Sequence, residues 1–284
     1  MAFDSAPSPP PSLQRCDGRV ELSFARRDGT SALAHLYQRH PCRVLFPRVG
    51  PSEPATAVLL TTSGGLTGGD RVSAQIALGA GARAVVASQA AEKIYRSLGP
   101  ACDIDVAIAV AAGAWCEWVP QETILFDGAR LRRRTEIDVA AGSRCVAAEM
   151  VVFGRSAHGE SFTTGALLDR RQVTSGGVPI WIDAVSLDGD IAAALARPAG
   201  FGGARAMASV IYIGDDAANF LEPARERLAA MACRAAATLV NGILVARLLD
   251  ADAANVRRGL TDYLGFIRHA AAGLPAQMPR VWNC

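Results

Sequence analysis

The chain has 284 residues, half of them hydrophobic and only 6% aromatic, with a formal net charge of +2. That length buries a sizeable core in one large domain or two small ones. The near-neutral balance gives no argument for nucleic acid or a membrane surface as the main partner. The seven cysteines (Cys16, Cys42, Cys102, Cys116, Cys145, Cys233 and Cys284) contain no C-x-x-C pair. No apolar signal segment opens the chain, and no run of 18 strictly apolar residues is present. A reduced, cytoplasmic protein is expected.

Residues 1–15 read as a disordered, proline-rich leader, and 16–284 as a single β-rich domain. Val20, Leu22 and Phe24 alternate along a first strand, Asp28-Gly29 turns it, and Ala32 to Tyr37 returns, which predicts a hairpin. Pro41, Pro47, Pro51 and Pro54 mark a loop-rich approach to the run Ser63-Gly64-Gly65-Leu66-Thr67-Gly68-Gly69-Asp70-Arg71. Gly64 and Gly69 have the spacing of a phosphate loop, but Asp70 and Arg71 stand where that motif needs Lys and Ser or Thr. Asp70 would repel a phosphate, so the run reads as a tight connection between strands, with Asp70 satisfying backbone N–H groups.

An internal repeat follows. Ile76 to Gln89, Ile108 to Gln121 and Ile137 to Met150 each read as strand, small-residue turn ending in glycine, and strand. Their turn glycines are Gly81, Gly113 and Gly142. A fixed period of about 30 residues with β content predicts a mainly-β, solenoid-like body of stacked hairpin units. Gly165 to Ile182 continues it more weakly, turning at Gly176-Gly177. Beyond residue 186 a few short helices are expected: Asp190 to Arg197 before Pro198, alanine-rich Pro223 to Thr238, and Asp252 to Ala272. Asp252 is the N-cap and Gly273 the stop of the last. Ala204 to Gly214 and Asn241 to Leu249 read as strands between them. The run Arg130-Leu131-Arg132-Arg133-Arg134 reads as a solvated strand start.

Polar residues gather after each repeat. If the units stack, these segments share one side and form a surface or channel bearing Glu92, Lys93, Arg96, Glu117, Glu122, Asp127, Glu149, Arg155 and Glu160. The alternative is a set of structural ion pairs between turns. His35, His40, His158 and His269 form no hydrolytic constellation, although His158 near Arg155 and Glu160 is a candidate ligand or base. The cysteines lack zinc spacing. Carboxylates such as Asp70, Glu122 and Glu160 would hold a divalent ion weakly and release it.

Four strings carry a specific resemblance: Gly64 to Asp70, Gln89-Ala90-Ala91-Glu92-Lys93-Ile94-Tyr95-Arg96, Glu117 to Gly128, and Gly154-Arg155-Ser156-Ala157-His158-Gly159-Glu160. With Pro279-Arg280-Val281-Trp282 they are collinear with the urease accessory protein UreD (UreH) family, which the chain resembles over residues 15–284. The resemblance implies a cytoplasmic, non-enzymatic chaperone with a solenoid-like β-body and no tightly bound cofactor. It implies a bridge from the urease apoprotein to UreF and, through UreF, to the GTPase UreG, as a dimer of heterotrimers. It also implies transient nickel, delivered to urease through an internal passage. Asp70, Glu92, Glu117, Glu122, Asp127, Glu149, His158 and Glu160 are the candidate path or contact residues. Asn283-Cys284 and the leader depart from the family's pattern. A second reading is a β-solenoid enzyme acting on a polymer or sugar, with Glu122, Asp127 and Glu160 as acid and base groups. It requires an open groove and paired carboxylates roughly 5–10 Å apart.

Overall fold

The structure is a computed structural model that describes residues 15–283. The leader, but for Arg15, and Cys284 lie outside the described residues.

Strands β1 (Asp17–Arg27) and β2 (Thr30–Arg39) form the expected hairpin. Asp28 and Gly29 both take positive φ, 48° and 81°, as the two-residue turn of a right-twisted hairpin requires. The stretch read as loop contains a short β3 (Cys42–Leu45), which pairs antiparallel with β4 (Ala55–Thr61). The stacked body follows as β5 (Arg71–Leu78), β6 (Arg83–Ser88), β7 (Glu92–Ile94), β8 (Cys102–Val110), β9 (Trp115–Val119), β10 (Thr123–Leu125), β11 (Arg130–Val139) and β12 (Arg144–Phe153).

The mainly-β, solenoid-like arrangement predicted from the repeat is what the structure shows. Strands β5, β8 and β11 are parallel neighbours in one sheet, with Ile76, Ile108 and Ile137 side by side. Strands β6, β9 and β12 stack the same way in a second sheet, with Ala84, Cys116 and Cys145 in register. Within a coil, however, the two strands do not pair with each other as a hairpin's would. They belong to facing sheets and form arches. The physical reason is economy of backbone groups. A hairpin satisfies its N–H and C=O groups against its own partner, whereas an arch leaves them for the next coil. The arch also turns alternate side chains of both strands onto one core, so Ile76, Ile108, Ile137, Val86 and Trp118 are all buried between the sheets.

Strands β13 (Ala166–Ser175) and β14 (Val178–Asp188) extend the first sheet, giving the order β14-β13-β11-β8-β5-β1-β2. Helix α1 (Ile191–Ala196) is capped by Asp190, whose carboxylate accepts from Ala193 N. Strand β15 (Ala206–Ile213) then joins the second sheet antiparallel to β12. The helix read over Pro223 to Thr238 is corrected. Helix α2 (Leu221–Ala229) ends early, and β16 (Arg234–Val240) pairs with β17 (Ile243–Asp250). Asn241 and Gly242 sit at φ 49° and 79° between them. That Asn-Gly turn, and the pairing it sets up with β17, outweigh the alanines' helical preference.

Helix α3 (Ala253–Ala272) has the predicted caps: Asp252 accepts from Ala254 N, and Gly273 is left-handed. Its buried residues Val256, Leu260, Tyr263, Leu264 and Ile267 pack on the outer face of the second sheet with Ala208, Val210 and Leu248. Each such side chain contributes about 1.5–3 kcal/mol. No helix among the described residues is long and apolar enough to cross a membrane.

Candidate functional site

Strands β7, β10 and β12 run parallel, with Glu92, Thr123 and Val151 in register. The polar segments that follow the coils therefore meet on one side of the body. Strand alternation then divides their side chains. Glu92 and Thr123 turn toward a partly open cavity of about 120 Å3, whose lining also includes Thr61, Cys42, Arg133 and Glu149. Lys93 and Ile124 turn the other way, to the outer surface.

Glu92 accepts one side-chain hydrogen bond, from Thr61 Oγ1 at 3.2 Å. Burial pushes its carboxyl up to about 7, against the weaker opposing pull of the Thr61 hydroxyl. Glu149 is 5% exposed and accepts from Thr135 Oγ1 at 2.7 Å. Arg133, also buried, lies with its Nη2 3.2 Å from Glu149 Oε2. Its main partner is Asp169, which directly opposes it on β13. The guanidinium donates to both Asp169 oxygens, at 2.9 and 2.6 Å, and to Thr123 Oγ1 at 3.0 Å. Burial alone would raise the Asp169 carboxyl, but Arg133 overcomes it and holds the group below its ordinary range.

Arg133 corrects the reading of Arg130 to Arg134 as a solvated start. Arg132 and Arg134 are exposed, but Arg133 shares the inward parity of Leu131, Thr135 and Ile137. That parity was the available signal for Arg133. Its partner Asp169 was not among the predicted residues; it alternates inward between Leu167 and Arg171 on β13.

The other candidates lie apart from the cavity. Asp70 is buried beneath the glycine run and accepts from Cys16 N and Thr67 N, both at 2.8 Å. This is the backbone-satisfying role read from the sequence. Glu117 faces the opposite side of the second sheet, under α3. It accepts from Trp115 Nε1 at 2.8 Å and lies 3.3 Å from Arg268 Nε, and its burial raises its carboxyl despite Arg268. Glu122 pairs with Arg257 of α3. Asp127 accepts from the N–H and hydroxyl groups of Thr163 and Thr164. Those bonds outweigh burial and lower its carboxyl. Glu160, paired with Arg155, also stays low through that hydrogen bond. His158 is exposed on a short 3-10 turn.

Asp127 and Glu160 adjoin, since Asp127 N lies 3.3 Å from Glu160 Oε1. Both are anchored and held ionised, so neither of these two is poised to donate a proton at neutral pH. Among the described residues, no three His, Cys, Asp or Glu side chains gather as a metal cage.

The family model described as UreD urease accessory protein matches residues 16–283. The urease accessory protein UreD of Magnetococcus marinus is 42% identical, over all of this chain and 98% of its own. Its counterpart from Xanthobacter autotrophicus is also 42% identical, over 95% of this chain and 90% of its own. That from Cereibacter sphaeroides is 41% identical, over 95% and 96% respectively.

Proposed function

Because the chain belongs to the UreD urease accessory protein family, we propose that it serves urease maturation as a non-catalytic cytoplasmic chaperone. It bridges the urease apoprotein to UreF and, through UreF, to the GTPase UreG, in a dimer of heterotrimers. Nickel, its cargo, passes through the interior toward the urease active site. The end-to-end match to proteins of that name carries the role.

The cavity supports the interior route. Its ionisable oxygen donors include Glu92 and Glu149, set among hydroxyls rather than grouped as a cage. Oxygen ligands hold a borderline metal less firmly than thiolate or imidazole does, which suits a cargo that must leave. Cys42 also lines the cavity, but burial pushes its thiol up to about 12. In the metal-free protein it stays protonated at neutral pH, so a metal would have to displace that proton to bind it.

The test is urease co-produced with all its accessory proteins and the Glu92→Gln/Glu149→Gln chain. Both substitutions keep side-chain shape and remove charge. The expected result is an intact assembly that yields urease with several-fold less nickel. Normal nickel content would exclude the interior carboxylates as the route.

A further inference from the structure

Helix α3 packs on the outer face of the second sheet against β12, β15 and β17, and an open groove lies where β7 and β10 join β12. There Lys93, Ile124 and Val152 stand in register across three strands and, with Tyr95 and Phe126, line an open groove of about 620 Å3. Tyr95 and Phe126 meet edge-to-face with centroids 5.0 Å apart, and the Arg155 guanidinium lies 4.0 Å over the Phe126 ring. The floor is thus apolar and braced. The rim carries Lys93, Arg155, His158 and Arg205, against one lining acid, Asp252.

The charges do not cancel evenly. Arg155 is matched by Glu160, and Asp252 is engaged at the α3 N-terminus that it caps. Among the described residues, the Arg205 side chain has only the Ser156 hydroxyl, at 3.4 Å. Among the described residues, no carboxylate lies within ion-pair distance of Lys93 or Arg205. Lys93 is moreover the only lysine among the chain's 29 basic residues. A slender ammonium at this point leaves the ring and aliphatic floor open, whereas a planar guanidinium stacks on aromatic faces.

We propose that this groove docks an acidic segment of a partner protein, one whose carboxylates flank an aliphatic or aromatic side chain. The apolar side chain lies on Ile124, Val152 and Phe126, and the carboxylates meet Lys93 and Arg205. Two unmatched cations are too few for the phosphate contacts of a nucleic-acid surface. The inference rests on the reading that the chain works through partner proteins, and it is independent of nickel.

The test uses the isolated full chain and a fluorescein-labelled peptide, Glu-Glu-Leu-Asp-Phe-Glu, with neither urease nor nickel present. Its failure is therefore read separately from that of the maturation role. Saturable binding is expected, weakened at least tenfold by Lys93→Glu with Arg205→Glu, and unchanged by Arg170→Glu on the outer face of the other sheet. Bound peptide should also protect Lys93 from acetylation, and prior acetylation of the folded native chain should weaken binding without any change of sequence. The proposal is overturned if binding does not saturate, or if the double variant or the acetylated chain binds as well as the native one. It is equally overturned if a Glu-Ser peptide lacking apolar residues binds equally, or if a single-stranded oligonucleotide binds more tightly.

Discussion

Glu92→Gln should make the protein more stable, by an amount that grows as pH rises from about 4.5 to about 7 and then levels off. The carboxylate faces the cavity with one side-chain donor, Thr61, while Arg133 on the same lining is committed to Asp169 and Glu149. Burial therefore raises the group from 4.5 to about 7. The folded state then holds this proton more tightly than the unfolded chain does. The neutral carboxyl is tolerated in full below pH 4.5, and that benefit is lost as pH rises through about 7. At about 1.4 kcal/mol per unit, the ionised form costs the fold up to about 3 kcal/mol at pH 8.5. Glutamine keeps the acceptor for Thr61 and removes the charge. Urea unfolding followed by tryptophan fluorescence should show the variant ahead by about 1–3 kcal/mol at pH 8.5 and level with the parent at about pH 4. A variant equal to or weaker than the parent at pH 8.5 would refute the reasoning, because Glu92 would then be well solvated or paired in the folded state.

Other substitutions probe different parts of the same body. Arg133→Met strands Asp169 and Glu149, both buried, and should cost about 3–5 kcal/mol in urea unfolding. Adding Asp169→Leu to Arg133→Met should recover much of that loss, because an apolar pair replaces the charged one. Asp252→Ala removes the α3 cap and should lower stability by about 1 kcal/mol. Gly68→Ala places a Cβ against the Ser97 hydroxyl and the Pro100 carbonyl. It should destabilise the glycine run by about 1–3 kcal/mol, read as a lower thermal midpoint.

The period of the coils was legible because Gly81, Gly113 and Gly142 each mark a left-handed turn, at φ 65°, 68° and 70°. Their spacing alone places the polar segments on one side of the body. The same letters do not say whether a strand–turn–strand unit closes as a hairpin or opens as an arch, since both need a small-residue turn. Nor did grouping by charge separate Glu92 and Glu149, which face the cavity, from Glu117 and Glu122, which pair with arginines of α3. Strand parity makes that separation, and it would also have placed Arg133 inside. Residues 223 to 238 failed for another reason. Alanine favours a helix, but the deciding contacts of β16 are with β17 across Asn241-Gly242.

The most direct measurement is nickel per active site, by elemental analysis, in urease purified from cells that carry every urease gene with or without this one. A maturation factor predicts normal amounts of urease polypeptide with little nickel and little activity when the chain is missing. Fully metallated, fully active urease in its absence would contradict the proposed role.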